Sequence, residues 1–140
     1  MQNKRSKWKT QWEAIGSSSK FHEKIRKIFK EDVFFKHLSC YQEVPVSGLV
    51  TSYPNNQHCI DWYIDELGMI LELHGKQHYQ ITNYGNAPYE KVAKDFYNMR
   101  YRDNAKKQAL LEAGFEYREI NYRLEPKLNA KLLKDILLPN

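Results

Sequence analysis

At 140 residues the chain is long enough for one domain with a real core and too short for a second. With 41% hydrophobic and 28% charged residues it has the makeup of a folded globular protein, which excludes wholesale disorder. Apolar runs such as Val33–Phe35 and Met69–Leu71 fall far short of the roughly 20 residues that cross a bilayer, so a transmembrane protein is excluded. No apolar stretch follows the basic N-terminus, as a secretory signal requires. Cys40 and Cys59 make no disulfide framework, and a reducing compartment is expected.

The net charge of +5 is unevenly spread. Lys4, Arg5, Lys7 and Lys9 precede the first acid, and Trp8 and Trp12 are interleaved with them. Such a segment suits a polyanion with stackable bases; a solvated tail, or a helix that docks its tryptophans, is the alternative. Residues 1–19 are read as a basic, aromatic arm and 20–140 as a single domain. The serines at 17–19 cap a helix from Lys20, in which Phe21, Ile25, Ile28 and Phe29 form one apolar stripe. Strands are expected at Cys40–Val46, His58–Ile64 and Met69–His74. Pro88 suits the first turn of a long helix that Gly114 ends. Phe115–Asn121 reads as a strand, and Pro126 opens a last helix with Leu128, Leu132, Leu133, Ile136 and Leu137. The order predicts an α/β domain around a mixed sheet.

Two features of this pattern demand chemistry. In the hairpin, Ile60, Trp62 and Ile64 share one face, against Cys59, Asp61 and Tyr63. Pairing Ile64 with Met69 across the turn sets Asp61 opposite Glu72 and Cys59 opposite His74. Opposed carboxylates repel unless a cation lies between them, and an oxygen-loving divalent ion such as Mg²⁺ suits the pair. A register slipped by one residue, or a carboxylate at a solvated edge, would remove the need. In the long helix Val92, Phe96, Met99 and Leu110 define a stripe with Asp103 at its centre, where a carboxylate needs a partner, a metal or a task. A helix broken near Asn98, with Asp103 as a cap, is the alternative.

The stretch from Asp61 through Glu72, His74-Gly75 and His78 resembles the catalytic hairpin of the PD-(D/E)XK nucleases, and more narrowly their Vsr-like branch. The later stretch Arg102-Asp103 to Gly114-Phe115 is similar to the closing helix of that branch, which includes the Vsr mismatch nickase and phage homing endonucleases of the EDxHD type. The resemblance spans roughly Phe21 to Tyr122. It implies a restriction-endonuclease-like α-β-β-β-α-β core, with the basic arm and a C-terminal helix added. It makes Asp61 the principal metal ligand, Glu72 the second carboxylate and His78 the general base on the attacking water. Asp103 becomes the aspartate that orients this histidine or holds a water or second metal. Glu23 matches the branch's first-helix glutamate, although the apolar stripe sets Glu23 toward solvent and His22 nearer the boundary.

The implied chemistry is coherent, since a metal neutralises the phosphodiester and a histidine near neutrality takes the proton. Mg²⁺ is the expected cofactor, with Mn²⁺ able to substitute. The family's usual lysine, two residues after Glu72, is His74 here, which favours a histidine mechanism and leaves Lys76 in reserve. Lys76-Gln77 also replaces the bulky aromatics that Vsr wedges into DNA, which argues against mismatch recognition. A zinc site from His37, Cys40, His58 and Cys59 is disfavoured, because adjacent strand residues point to opposite faces; His58 then reads as a surface residue. Of the basic residues, Lys4, Arg5, Lys7, Lys9, Lys76, Arg100 and Arg102 are assigned to nucleic-acid binding. Lys91, Lys94, Lys106 and Lys107 line the long helix mostly off its apolar stripe, as phosphate contacts or a solvated face.

The reading is therefore an Mg²⁺-dependent DNA endonuclease of the site-specific, phage-type homing kind. The alternatives are a Vsr-like nickase, a branched-DNA resolvase, or a non-catalytic nucleic-acid-binding module on a nuclease fold. Double-stranded DNA is the expected partner and no membrane is involved. One active site cuts one strand, so double-strand cleavage requires a homodimer or two visits. The expected location is the cytoplasm of a bacterial or phage-infected cell.

Overall fold

In the computed structural model of the chain, residues 7–16, 18–76, 79 and 87–138 are described. Among them a mixed sheet has five strands in the order β1-β2-β3-β4-β5: Lys9–Thr10, Cys40–Pro45, Cys59–Ile64, Met69–His74 and Glu116–Asn121. The first four are antiparallel, and β5 lies parallel to β4 after a crossover through the long helix. The helices are α1 (Lys20–Glu31), the one-turn α2 (Val46–Leu49), α3 (Tyr89–Glu112) and α4 (Ala130–Leu137). Setting α2 aside, the elements from α1 to β5 run α-β-β-β-α-β. No described helix is long and apolar enough to cross a membrane.

The sheet has a core on each face. Phe21, Ile25 and Phe29 of α1 and Leu133 and Leu137 of α4 pack on Trp62, Ile64, Met69, Leu71 and Ile120. On the opposite face Leu110 of α3 packs with Val44, Val46, Tyr53, Ile60, Tyr63 and Ile70. Helix α1 starts as its sequence requires, with the Ser19 hydroxyl accepting the His22 N–H at 3.1 Å. Gly114 ends α3 at φ +94, a backbone region that a side chain disfavours. Pro126 does not open the last helix: it lies within a 3₁₀ turn at Tyr122–Lys127, and Asn129 caps α4 by accepting the Leu132 N–H.

The described part of the N-terminal segment is built into the domain. Lys9 and Thr10 pair with Gln42 and Tyr41. Two buried amides pin the residues around this edge strand. The Gln11 amide donates to Leu38 O at 2.8 Å, and that of Gln42 donates to Thr10 O and Glu13 O at 2.6 and 2.7 Å. Trp8 lies so close to Gly48 that a Cβ there would meet its ring at 2.7 Å, and it stands edge-on to Tyr41 and Tyr63. Trp12 is exposed. Lys4 and Arg5 lie outside the described residues.

Candidate active site

Asp61 sits where the sheet comes apart. Strands β2 and β3 keep one register from Cys40–Ile64 to Pro45–Cys59, but the Glu43–Asp61 position is left unpaired. Glu43 has φ +49, in the left-handed region that residues other than glycine rarely occupy. This kink moves Val44 and Ile60 into the core on the α3 side, so Ile60 does not share a face with Trp62 and Ile64 as strict alternation predicts.

Between β3 and β4 the predicted register holds for Ile64–Met69, Tyr63–Ile70 and Trp62–Leu71, and there the ladder stops. Asp61 and Glu72 are not a ladder pair, nor are Cys59 and His74. Instead the Asp61 carboxylate accepts the Leu73 N–H at 2.7 Å, and the Glu72 carboxylate accepts the Asp61 N–H at 3.3 Å. Two anions directly opposed would repel, and each is answered here by a backbone dipole.

Helix α3 closes this opening from one side. Asp103 and Lys106 both face it, with Lys106 Nζ 3.7 Å from the Asp103 carboxylate and 3.8 Å from that of Glu72. The ammonium also donates to Cys59 O at 2.9 Å. Lys106 is thus not an off-stripe surface lysine. It follows Met99 and Asp103 and precedes Leu110 at steps of four, three and four, the spacing of one helix face. That spacing is the signal the sequence carries for it, masked because lysines on a long basic helix ordinarily face water. Only Lys106 and Leu110 of the stripe are fully buried; Val92, Phe96 and Met99 are half-buried. Glu72 is only 4% exposed, and burial, then the charges of Asp61 and Asp103, push its pKa well above the ordinary carboxylate range.

These groups line a cleft of about 370 Å³, together with His58, Cys59 and Arg102. Asp61 also lines a second cavity, of about 470 Å³, beside the start of α1 with His22, Glu43 and Tyr122. Asp103 borders a third, of about 170 Å³, with Arg100, Lys107, His74 and Glu119. Glu43 and Ile15 connect the second cavity to a fourth, beside Lys7, Trp8 and Lys9. Neighbouring cavities share lining residues, and each is lined by basic as well as acidic side chains.

Of the expected site residues, Asp61, Glu72 and Asp103 come together. Glu23 lines none of these cavities, and hydrogen bonds from Ser18 and Arg26 hold its carboxyl below the usual range. His78 lies outside the described residues. His74 is buried with Nδ1 3.7 Å from Glu119. Lys76 is exposed just beyond β4. The zinc ligands do not assemble: Cys40 is wholly buried in the α1-side core, while His58 bonds Tyr53 on the other side.

The donor set suits a hard divalent cation. Asp61 Oδ1 and Glu72 Oε2 accept no hydrogen bond among the described residues, and a cation between them would relieve the repulsion that, after burial, raises the Glu72 pKa. Among the described residues no three His, Cys, Asp or Glu side chains gather as a complete metal site. Mg²⁺ ordinarily takes one or two carboxylates and completes its shell with water and phosphate oxygens. Compared with family models, curated proteins and solved structures, the chain gives no match.

Proposed function

We propose that the protein is a divalent-metal-dependent endonuclease that hydrolyses phosphodiester bonds in DNA, of the Vsr-like kind within the PD-(D/E)XK nucleases. The observation that carries the reading is the convergence of Asp61 and Glu72, at the split between two strands, with Asp103 and Lys106 from the crossover helix. The element order and the parallel β4–β5 pair support a restriction-endonuclease-like core. Basic residues in each of the neighbouring cavities suit a polyanion.

On this reading Asp61 and Glu72 would hold Mg²⁺, or Mn²⁺ in its place, which when bound neutralises phosphate charge and lowers the pKa of a coordinated water. Lys106 compensates the carboxylates from the helix side, and on this reading its ammonium would meet a phosphate oxygen, the task the family gives to a strand lysine. Arg102, on the cleft wall, adds charge complementary to the strand being cut. The resemblance assigns proton abstraction to His78 and its orientation to Asp103.

The test is cleavage of supercoiled plasmid by the whole chain in Mg²⁺ and in EDTA, beside Asp61→Asn. Metal-dependent nicking that falls roughly a hundredfold or more in the variant is the expected outcome. Salt-sensitive DNA binding without cleavage in Mg²⁺ or Mn²⁺ would overturn the reading and leave a binding module.

A further inference from the structure

His58, a surface residue by its sequence context, lines the same cleft as Asp61, Glu72, Asp103 and Lys106. The residue is held through its backbone and through one ring nitrogen. The backbone is held where β3 begins, with His58 O accepting the Val46 N–H at 2.9 Å. The imidazole Nδ1 lies 2.6 Å from the Tyr53 hydroxyl, and Tyr53 is itself buried in the α3-side core. Nε2 has no hydrogen-bond partner among the described residues. When Nδ1–H donates to the Tyr53 oxygen, the ring is a neutral base with the Nε2 lone pair unengaged.

We propose that His58, oriented by Tyr53, is a proton-accepting catalytic residue of this cleft, taking the proton of the water that attacks the phosphodiester. The inference rests on the nuclease reading and moves the base role from His78 to His58. The water oxygen forms the new bond to phosphorus while its proton passes to His58 Nε2. The bond from phosphorus to the leaving oxygen breaks with its electron pair, that oxygen takes a proton from solvent, and His58 returns its own to solvent. Tyr53 is a positioning residue.

The surroundings keep the imidazole in the form this requires. Partial burial, then the positive charges of Arg102 and Lys106 on α3, push its pKa below the ordinary 6.5. Burial also raises the Tyr53 pKa, so the hydroxyl stays protonated and neutral. The carboxylates of Asp61, Glu72 and Asp103 line the same cleft.

The experiment combines plasmid cleavage in Mg²⁺ across pH 5 to 9 with NMR titration of the histidines in metal-free protein, for the wild type, His58→Gln and Tyr53→Phe. Loss of roughly a hundredfold in cleavage rate by His58→Gln is expected, together with loss of the acid limb of the pH profile. DNA affinity in EDTA should be unchanged. In the wild type His58 should titrate below 6.5 as the Nδ1–H tautomer, and Tyr53→Phe should change that tautomer while keeping part of the activity. A cleaving wild type whose rate and acid limb survive in a folded His58→Gln would overturn this proposal alone. No cleavage by the wild type in Mg²⁺ or Mn²⁺ would overturn it together with the nuclease reading.

Discussion

The two ends of the β3–β4 hairpin are built from the same pair of strands and behave in opposite ways. At the turn end Ile64, Met69, Trp62 and Leu71 are apolar, pair in regular register and are covered by α1 and α4. At the open end Asp61 and Glu72 come next in the same register by sequence, and the ladder gives way to bonds between carboxylates and backbone N–H groups. A sheet tolerates a charged position at its centre by surrendering pairing there. The stability it lacks at that end is supplied by the apolar end, a division common where sites store destabilising groups.

The closed end should show the largest effect on folding. Trp62 is fully buried between His22 and Phe29, so Trp62→Ala should cost about 4 kcal/mol in denaturant unfolding. An open end that proved equally costly to truncate to a neutral residue would dissolve the contrast.

At the open end the charges matter more than the volumes. Lys106→Met removes the ammonium beside two carboxylates and should destabilise by about 3 kcal/mol at neutral pH. The loss should shrink at acid pH, as the carboxylates it faced protonate. Equal losses at pH 5 and pH 8 would show that Lys106 matters for packing and not for charge.

The subtlest test concerns Glu72, whose folded pKa is raised above the ordinary 4.5. The folded protein then holds a proton that the unfolded chain releases, so stability is greatest below 4.5 and falls as pH rises through the folded value. Thermal midpoints of metal-free protein should decline with pH across that window. Glu72→Gln should flatten the decline and be the more stable form at alkaline pH. Addition of Mg²⁺ should stabilise the wild type and not the variant.

Much of this could be read without coordinates, because it rests on short-range rules. The stripe Phe21, Ile25, Phe29, the serine cap, the αL glycine after α3 and the Ile64–Met69 register each arise from neighbours a few residues apart. Asp61 and Glu72 were legible as opposed carboxylates in the hairpin, and Asp103 as a carboxylate on an apolar helix stripe. Lys106 and His58 were not, because lysine and histidine on a helix or at a strand end violate nothing locally. What puts them at one cleft is that α3, carrying Lys106, packs across the open sheet end beside the start of β3, next to His58.

The sequence by itself determined α1, the long helix, the four longer strands and three of the carboxylates that gather at the cleft, through periodicities of two and 3.6 residues and the conformational limits of proline and glycine. Only the tertiary structure decided that Lys9–Thr10 form an edge strand held by Gln11 and Gln42, and that the sheet kinks at Glu43. It also decided that the cation facing Glu72 is Lys106, more than thirty residues further along the chain. Those outcomes depend on contacts between segments distant in the chain, whose energies no local pattern records.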